Sequence, residues 1–226
     1  NKGEALLDPD ASEPGPHYSG ADLTLYKFPS GPYDNNAYLL VCPQTNRSIV
    51  IDAPGGADEL IEAAKRTKVQ AVLITHGHFD HLMGYEDIVP ELGANAGIGA
   101  GDVGDVPSAP QIVVQDGDVF TAGTISLTAI ATPGHTPGST CYVVGRHVFT
   151  GDTLFPGGPG KSGSPDAFRQ LLDSIKTRLF VLDGKCRFYP GHGADGLLQD
   201  AMDEYGSFAA KPHPGDLHGD VTWLKS

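Results

Sequence analysis

Apolar residues along the chain fall in short runs set apart by clusters rich in glycine, proline and small polar residues, a pattern of strands joined by tight turns. Residues 23–28, 37–41, 48–51 and 71–74 read as strands, with turn clusters such as Ser30-Gly31-Pro32 and Pro54-Gly55-Gly56 between them. Residues 58–66 break that rhythm. Leu60, Ile61 and Ala64 share one helical face there, with acids early and bases late, which predicts a short amphipathic helix. Strands resume at 111–114, 119–122, 126–131, 140–144 and 147–150. Ser164 then offers an N-cap and Pro165 a first helical position, and Phe168, Leu171, Leu172, Ile175 and Leu179 follow at helical spacing. A last strand is expected at 187–189. A last helix should follow, with Leu197, Leu198, Ala201, Met202 and Tyr205 on one face and Gly206 as its terminator.

Strands followed by helices in both halves predict two sheets packed face to face with helices outside, an α/β chain of the α+β type. With 226 residues, of which 39% are hydrophobic, the chain suits a single domain. Its expected limits are an exposed arm at 1–20, the domain at 21–206 and a tail at 207–226, packed on the domain or exposed. The tail holds the single tryptophan, Trp223, and shows no clear pattern.

Composition narrows the partners. The formal charge of −13 repels phosphate backbones and anionic lipid at long range, so neither nucleic acid nor membrane is an expected partner. No run approaches the ~18 apolar residues of a membrane span, and the start lacks a signal-peptide pattern. Three widely spaced cysteines fit no disulfide framework, which makes cytoplasm the expected location. Cys141, inside an apolar run, reads as a small core residue.

The chemistry gathers after the strand at 71–74, in Thr75-His76-Gly77-His78-Phe79-Asp80-His81. His76 and His78, two apart in extended chain, face one side, while Asp80 and His81 enter the next turn and can address a neighbouring point. Imidazoles and carboxylates packed so densely repel or desolvate one another unless a cation joins them, so one loop serving two adjacent metals is the better account. Three later turns each end a strand and each add one ligand type directly after a glycine: His135 in Pro133-Gly134-His135-Thr136-Pro137-Gly138, Asp152 in Gly151-Asp152-Thr153, and His192 in Pro190-Gly191-His192-Gly193. His17, His147, His213 and His218 lack such a setting and are expected at the surface or in packing.

That series, His76, His78, Asp80, His81, His135, Asp152 and His192 in order, resembles the metallo-β-lactamase fold superfamily. Within it, residues 132–139, Gly151-Asp152-Thr153-Leu154-Phe155 and 190–193 resemble the glyoxalase II branch, and the resemblance covers roughly 23–205. It implies a four-layer αββα sandwich with a binuclear centre at one edge. By position, His76, His78 and His135 would hold the first divalent metal, Asp80, His81 and His192 the second, and Asp152 would bridge them, with zinc the expected metal and iron or manganese open. Cysteine replaces the bridging aspartate in many true β-lactamases of this fold, so Asp152 points away from antibiotic hydrolysis and toward thioester or other ester chemistry, a thioester cleaved by a metal-bridging hydroxide being the expected reaction. Asp80 and Asp152 are the candidate catalytic carboxylates.

The substrate would be a small molecule, an anionic thioester by the same resemblance. Lys161 stands where glyoxalase II proteins carry a substrate-binding lysine, whereas Gly163 replaces the tyrosine two residues on. The helical domain that helps those proteins hold glutathione does not fit in the 34 residues after His192. The competing readings are a lactonase or other ester hydrolase, a persulfide dioxygenase with a single iron, and a metal-stabilised binding protein without catalysis.

Overall fold

The computed structural model describes residues 15–225. Its first half is a seven-stranded sheet whose spatial order follows the chain: β1 (Tyr18–Ser19), β2 (Thr24–Ser30), β3 (Asn35–Val41), β4 (Arg47–Ile51), β5 (Lys68–Leu73), β6 (Asn95–Gly99) and β7 (Ile112–Val114). β1 to β4 pair antiparallel and β4 to β7 parallel. Parallel pairing needs crossovers. These are α1 (Asp58–Lys65) between β4 and β5, α2 (Phe79–Leu82) with α3 (Tyr85–Leu92) between β5 and β6, and a connection containing the short helical turn Ala100–Asp102 between β6 and β7.

The second half builds six strands, β8 (Val119–Ala122), β9 (Ile125–Ala131), β10 (Thr140–Val144) and β11 (His147–Gly151), then, past a small ribbon of β12 (Leu154–Phe155) and β13 (Gly158–Pro159), β14 (Arg187–Pro190) and β15 (Gly196–Leu197). β14 lies parallel to β11. Helix α4 (Pro165–Ser174) starts on the predicted cap, the Ser164 side chain accepting from Ala167 N–H, and widens into a π-type turn at Ile175–Leu179 before α5 (Leu198–Ala209).

Period-two alternation explains the layers. On β3, β4 and β5, Tyr38, Leu40, Ile49, Ile51 and Leu73 face the other sheet, where Leu127, Ala129, Tyr142, Phe149 and Tyr189 meet them. The alternate residues Leu39, Val50, Val72 and Ile74 face outward onto Leu60, Ala64, Tyr85 and Ile88 of α1 and α3. On the far side Cys141, Val148 and Phe188 pack under Phe168, Leu171, Leu198, Ala201 and Phe208. The result is the expected αββα sandwich, with Cys141 buried in its outer core layer.

Two expectations change. Leu197 does not join the face of the last helix but lies exposed in β15, in extended conformation just ahead of the helix. Gly206 does not end the last helix, which runs on to Ala209 because Phe208 buries itself in that same layer and its ring stacks on His213 at 3.8 Å. An interior glycine costs about 1 kcal/mol against alanine, and burying a phenylalanine outweighs it. Of the arm at 1–20, residues 1–14 lie outside the described residues; residues 15–19 are exposed, and Tyr18 and Ser19 pair with Leu25 and Thr24.

Candidate metal centre

The ligand-bearing segments all leave the carboxyl ends of strands: His76 to His81 after β5, His135 after β9, Asp152 after β11 and His192 after β14. Crevices outside such strand ends are the usual sites of α/β sheets, and here both sheets open at one edge. The sheets are tied together beside it, Thr140 N–H donating to Thr75 O at 2.8 Å.

All seven predicted residues converge. His76, His78 and His135 form one group of potential ligand atoms, and Asp80, His81 and His192 a second, the atoms of each lying within 4.8 Å of one another. Asp152 stands between them: its Oδ2 is 3.7 Å from His135 Nε2 and 3.6 Å from His192 Nε2, and its Oδ1 is 3.4 Å from His81 Nε2. His192 Nε2 and Asp80 Oδ2 are 3.1 Å apart. Gly191 permits this crowding, since a Cβ there would lie 2.5 Å from His81 Cε1.

Outer partners aim the imidazoles. His76 Nδ1 meets Thr75 Oγ1 at 3.0 Å, His81 Nδ1 meets Asp52 Oδ2 at 2.9 Å, His135 Nδ1 meets the Lys161 carbonyl at 2.7 Å and His192 Nδ1 meets the Tyr33 carbonyl at 3.0 Å. With Nδ1–H donating outward in each ring, the Nε2 lone pairs are left for the centre, the arrangement of metal-binding histidines. His76 Nε2, His135 Nε2 and Asp152 Oδ1 are buried with no hydrogen-bond partner. Orphaned acceptors of this kind carry a desolvation cost that a cation removes, so the donor set fits a metal pair.

Electrostatics agree. Burial, joined by the neighbouring imidazoles, pushes His76 well below its ordinary pKa, so it stands neutral and ready to ligate. Burial works against the charge of Asp152, but His81, His135 and His192 outweigh it and hold the carboxyl ionised. For His81 burial is likewise overcome, by Asp52 and Asp152, which raise the imidazole to about 10; a cation would take the place of that proton.

Reading the sequence missed Asp52 and Asn35. Asp52 is buried at φ +65°, in the left-handed region that non-glycine residues seldom enter, and its carboxylate accepts from Thr75 N–H (2.7 Å), Thr75 O–H (2.9 Å) and the His81 ring. An acid directly after the apolar run of β4 was the available signal. Asn35 donates to Asp80 Oδ2 at 2.8 Å. Asp52→Asn is expected to weaken the cation held by His81 10–100-fold, the range for outer partners of metal ligands; an unchanged dissociation constant in chelator competition would remove Asp52 from that role.

The metallo-beta-lactamase superfamily model matches residues 30–192. The chain belongs to that superfamily. It is 35% identical over 175 residues to the probable hydroxyacylglutathione hydrolase glo2 of Schizosaccharomyces pombe, a match covering 72% of this chain and 65% of the yeast protein. Among solved structures it resembles ETHE1 from Myxococcus xanthus, with a TM-score of 0.72, 25% identity and coverage of 83% of this chain and 85% of that one. It also resembles the protein TTHA1623, solved in a di-iron-bound form, with a TM-score of 0.66, 26% identity and coverage of 78% and 96%. The other histidines lie apart from this superfamily centre: His17 pairs with Asp195 at 2.6 Å and His147 with the Tyr189 hydroxyl at 2.7 Å. Among the described residues, no helix is long and apolar enough to cross a membrane.

Proposed function

We propose that the chain is a binuclear metal-dependent hydrolase acting on a thioester, with His76, His78 and His135 holding one cation, Asp80, His81 and His192 the other, and Asp152 shared. The observation that carries this reading is the pair of three-ligand groups closing on one partly buried carboxylate, with four imidazoles tied back through Nδ1. Two such cations, when bound, supply a water acidic enough to ionise near neutral pH and a Lewis acid for a carbonyl oxygen. The protein's own part would be to hold that pair: Asp152 would be shared by both cations, Asp52 and the Tyr33 carbonyl orient His81 and His192, and Asn35 donates to Asp80. A thiol leaving group has a pKa near ~8.5, so it departs without a dedicated acid. That suits a centre whose nearest carboxylates are already spoken for as ligands. The likeness to a hydroxyacylglutathione hydrolase supports the same substrate class.

Lys161 is the proposed anchor for an anionic thioester. Its carbonyl holds His135 while its residue as a whole stays exposed, so replacing the side chain leaves the ligand's support in place. Lys161→Ala is expected to raise KM for anionic thioesters several-fold, on the order of ~1 kcal/mol of uniform binding, at unchanged metal content. Equal KM in variant and parent removes the anchor.

A second reading has one observation in its favour. His76, His81 and Asp152 alone make a two-histidine, one-carboxylate set, the ligand type of single-iron oxygenases. Metal analysis of the purified protein, with turnover measured on glutathione thioesters, other thioesters, lactones, a β-lactam and a persulfide, separates the readings. Two metals and thioester cleavage support the hydrolase; one iron with oxygen-dependent persulfide turnover replaces it, and activity confined to lactones changes the substrate class.

A further inference from the structure

Asp102 closes a three-residue helical turn, Ala100–Asp102, directly after β6, and its side chain is buried against loops from both halves of the molecule. Its Oδ2 accepts from Gly77 N–H at 2.8 Å and from the Thr136 hydroxyl at 2.6 Å, and its Oδ1 accepts from Gly138 N–H at 2.7 Å. Gly77 is the residue between His76 and His78, and Thr136 is the residue after His135. One carboxylate therefore bonds the chain next to all three imidazoles of one cluster, and next to none of the ligands of the other.

The surrounding backbone shows that this contact is tight. A Cβ on Gly138 would sit 2.5 Å from Asp102 N, and one on Gly101 would sit 2.5 Å from the Pro137 carbonyl carbon, so the turn at 100–102 lies backbone on backbone against 137–138. Thr136 is locked in turn, its N–H donating to Ser139 Oγ at 3.0 Å and its Oγ1 lying 2.7 Å from the same atom. Three donors facing two oxygens match a carboxylate and mismatch an amide, because an amide nitrogen at the Oδ2 position would oppose the Gly77 N–H.

We infer that Asp102 is a positioning residue for the cluster of His76, His78 and His135, holding the two turns that carry them in register, so that its loss weakens cation binding at that cluster selectively. The inference rests on the binuclear reading above. Asp52, by comparison, bonds the His81 ring directly and reaches His76 through Thr75, so it serves both clusters where Asp102 serves one.

The test uses the full chain loaded with cobalt, with affinities from chelator competition and the occupied cluster identified by the paramagnetically shifted imidazole signals, three rings for one cluster and two for the other. The parent should bind two cobalt ions. Asp102→Asn should bind one of them 10–100-fold more weakly, leaving a singly loaded form that shows the two rings of His81 and His192. Should Asp102→Asn fail to fold, Thr136→Val, which removes one donor and leaves both backbone bonds, should give the same loss in smaller measure, ~3–10-fold. Two ions bound with parental affinity in the variant, or both ions lost in equal proportion, overturn the assignment of Asp102 while the binuclear reading stands. A parent that binds a single ion overturns that reading first, and this inference with it.

Discussion

Replacing Asp152 by alanine is expected to lower metal content and turnover together, with turnover falling on the order of 10³-fold or more. The magnitude follows from position. Outer partners of metal ligands are worth 10–100-fold in affinity, and Asp152 would be an inner ligand to both ions at once. Its removal also leaves His81, His135 and His192 facing one another without the carboxylate that lies 3.4–3.7 Å from each. Without that counter-charge the three imidazoles repel one another when protonated and lose the anionic ligand that would offset the charge of a bound cation. Metal analysis by mass spectrometry after gel filtration, with turnover on the same sample, checks both effects. A variant with two metals per chain and undiminished turnover would refute the bridging role and leave the binuclear account without its centre.

The candidate ligands of that centre are legible in the amino-acid order because each sits in a local string whose density or glycine neighbours mark it out. His76, His78, Asp80 and His81 occupy one loop, and the turns bearing His135, Asp152 and His192 each end a strand that its own alternation reveals. What supports the ligands is not legible, for a physical reason. Asp52, Asn35 and Asp102 act on chain 23 to 45 residues away, through bonds that exist only once the sheets meet. The same limit hid α3 and β6. Pro90 lies inside the first of them, and the second reads Asn95-Ala96-Gly97-Ile98-Gly99, with weak local preference for a strand. Packing overrides it, since Ala96 and Ile98 are buried and Gly97 leaves room that Val114, Ile112 and Leu73 fill.

Trp223 is where the pattern of the sequence was weakest and where a substitution is expected to cost most in stability. Its side chain is fully buried in the outer core of the second sheet, 5.6 Å from the Tyr205 ring and 6.0 Å from Phe180. Its backbone N–H donates to Gly157 O at 2.9 Å. Just before it, Gly219 exchanges backbone hydrogen bonds with Ser162 at 3.1 and 3.2 Å. The tail thus straps the segment that runs through β12, β13 and Lys161, whose carbonyl holds His135. Trp223→Ala should therefore cost about 3–5 kcal/mol, and a Tm lower by ~6–20 °C follows for a chain of this size. Trp223→Phe separates packing from polarity. The indole Nε1 is buried without a hydrogen-bond partner, so phenylalanine gives up some volume but also removes a donor whose desolvation costs about 1–3 kcal/mol. That variant should melt close to the parent, within ~1.5 kcal/mol. Because the strap reaches His135 through backbone alone, metal loading should recover part of the alanine variant's lost Tm. Thermal unfolding of both variants, metal-free and metal-loaded, decides the matter; an alanine variant melting within ~2 °C of the parent would mean that the tail is no part of the core.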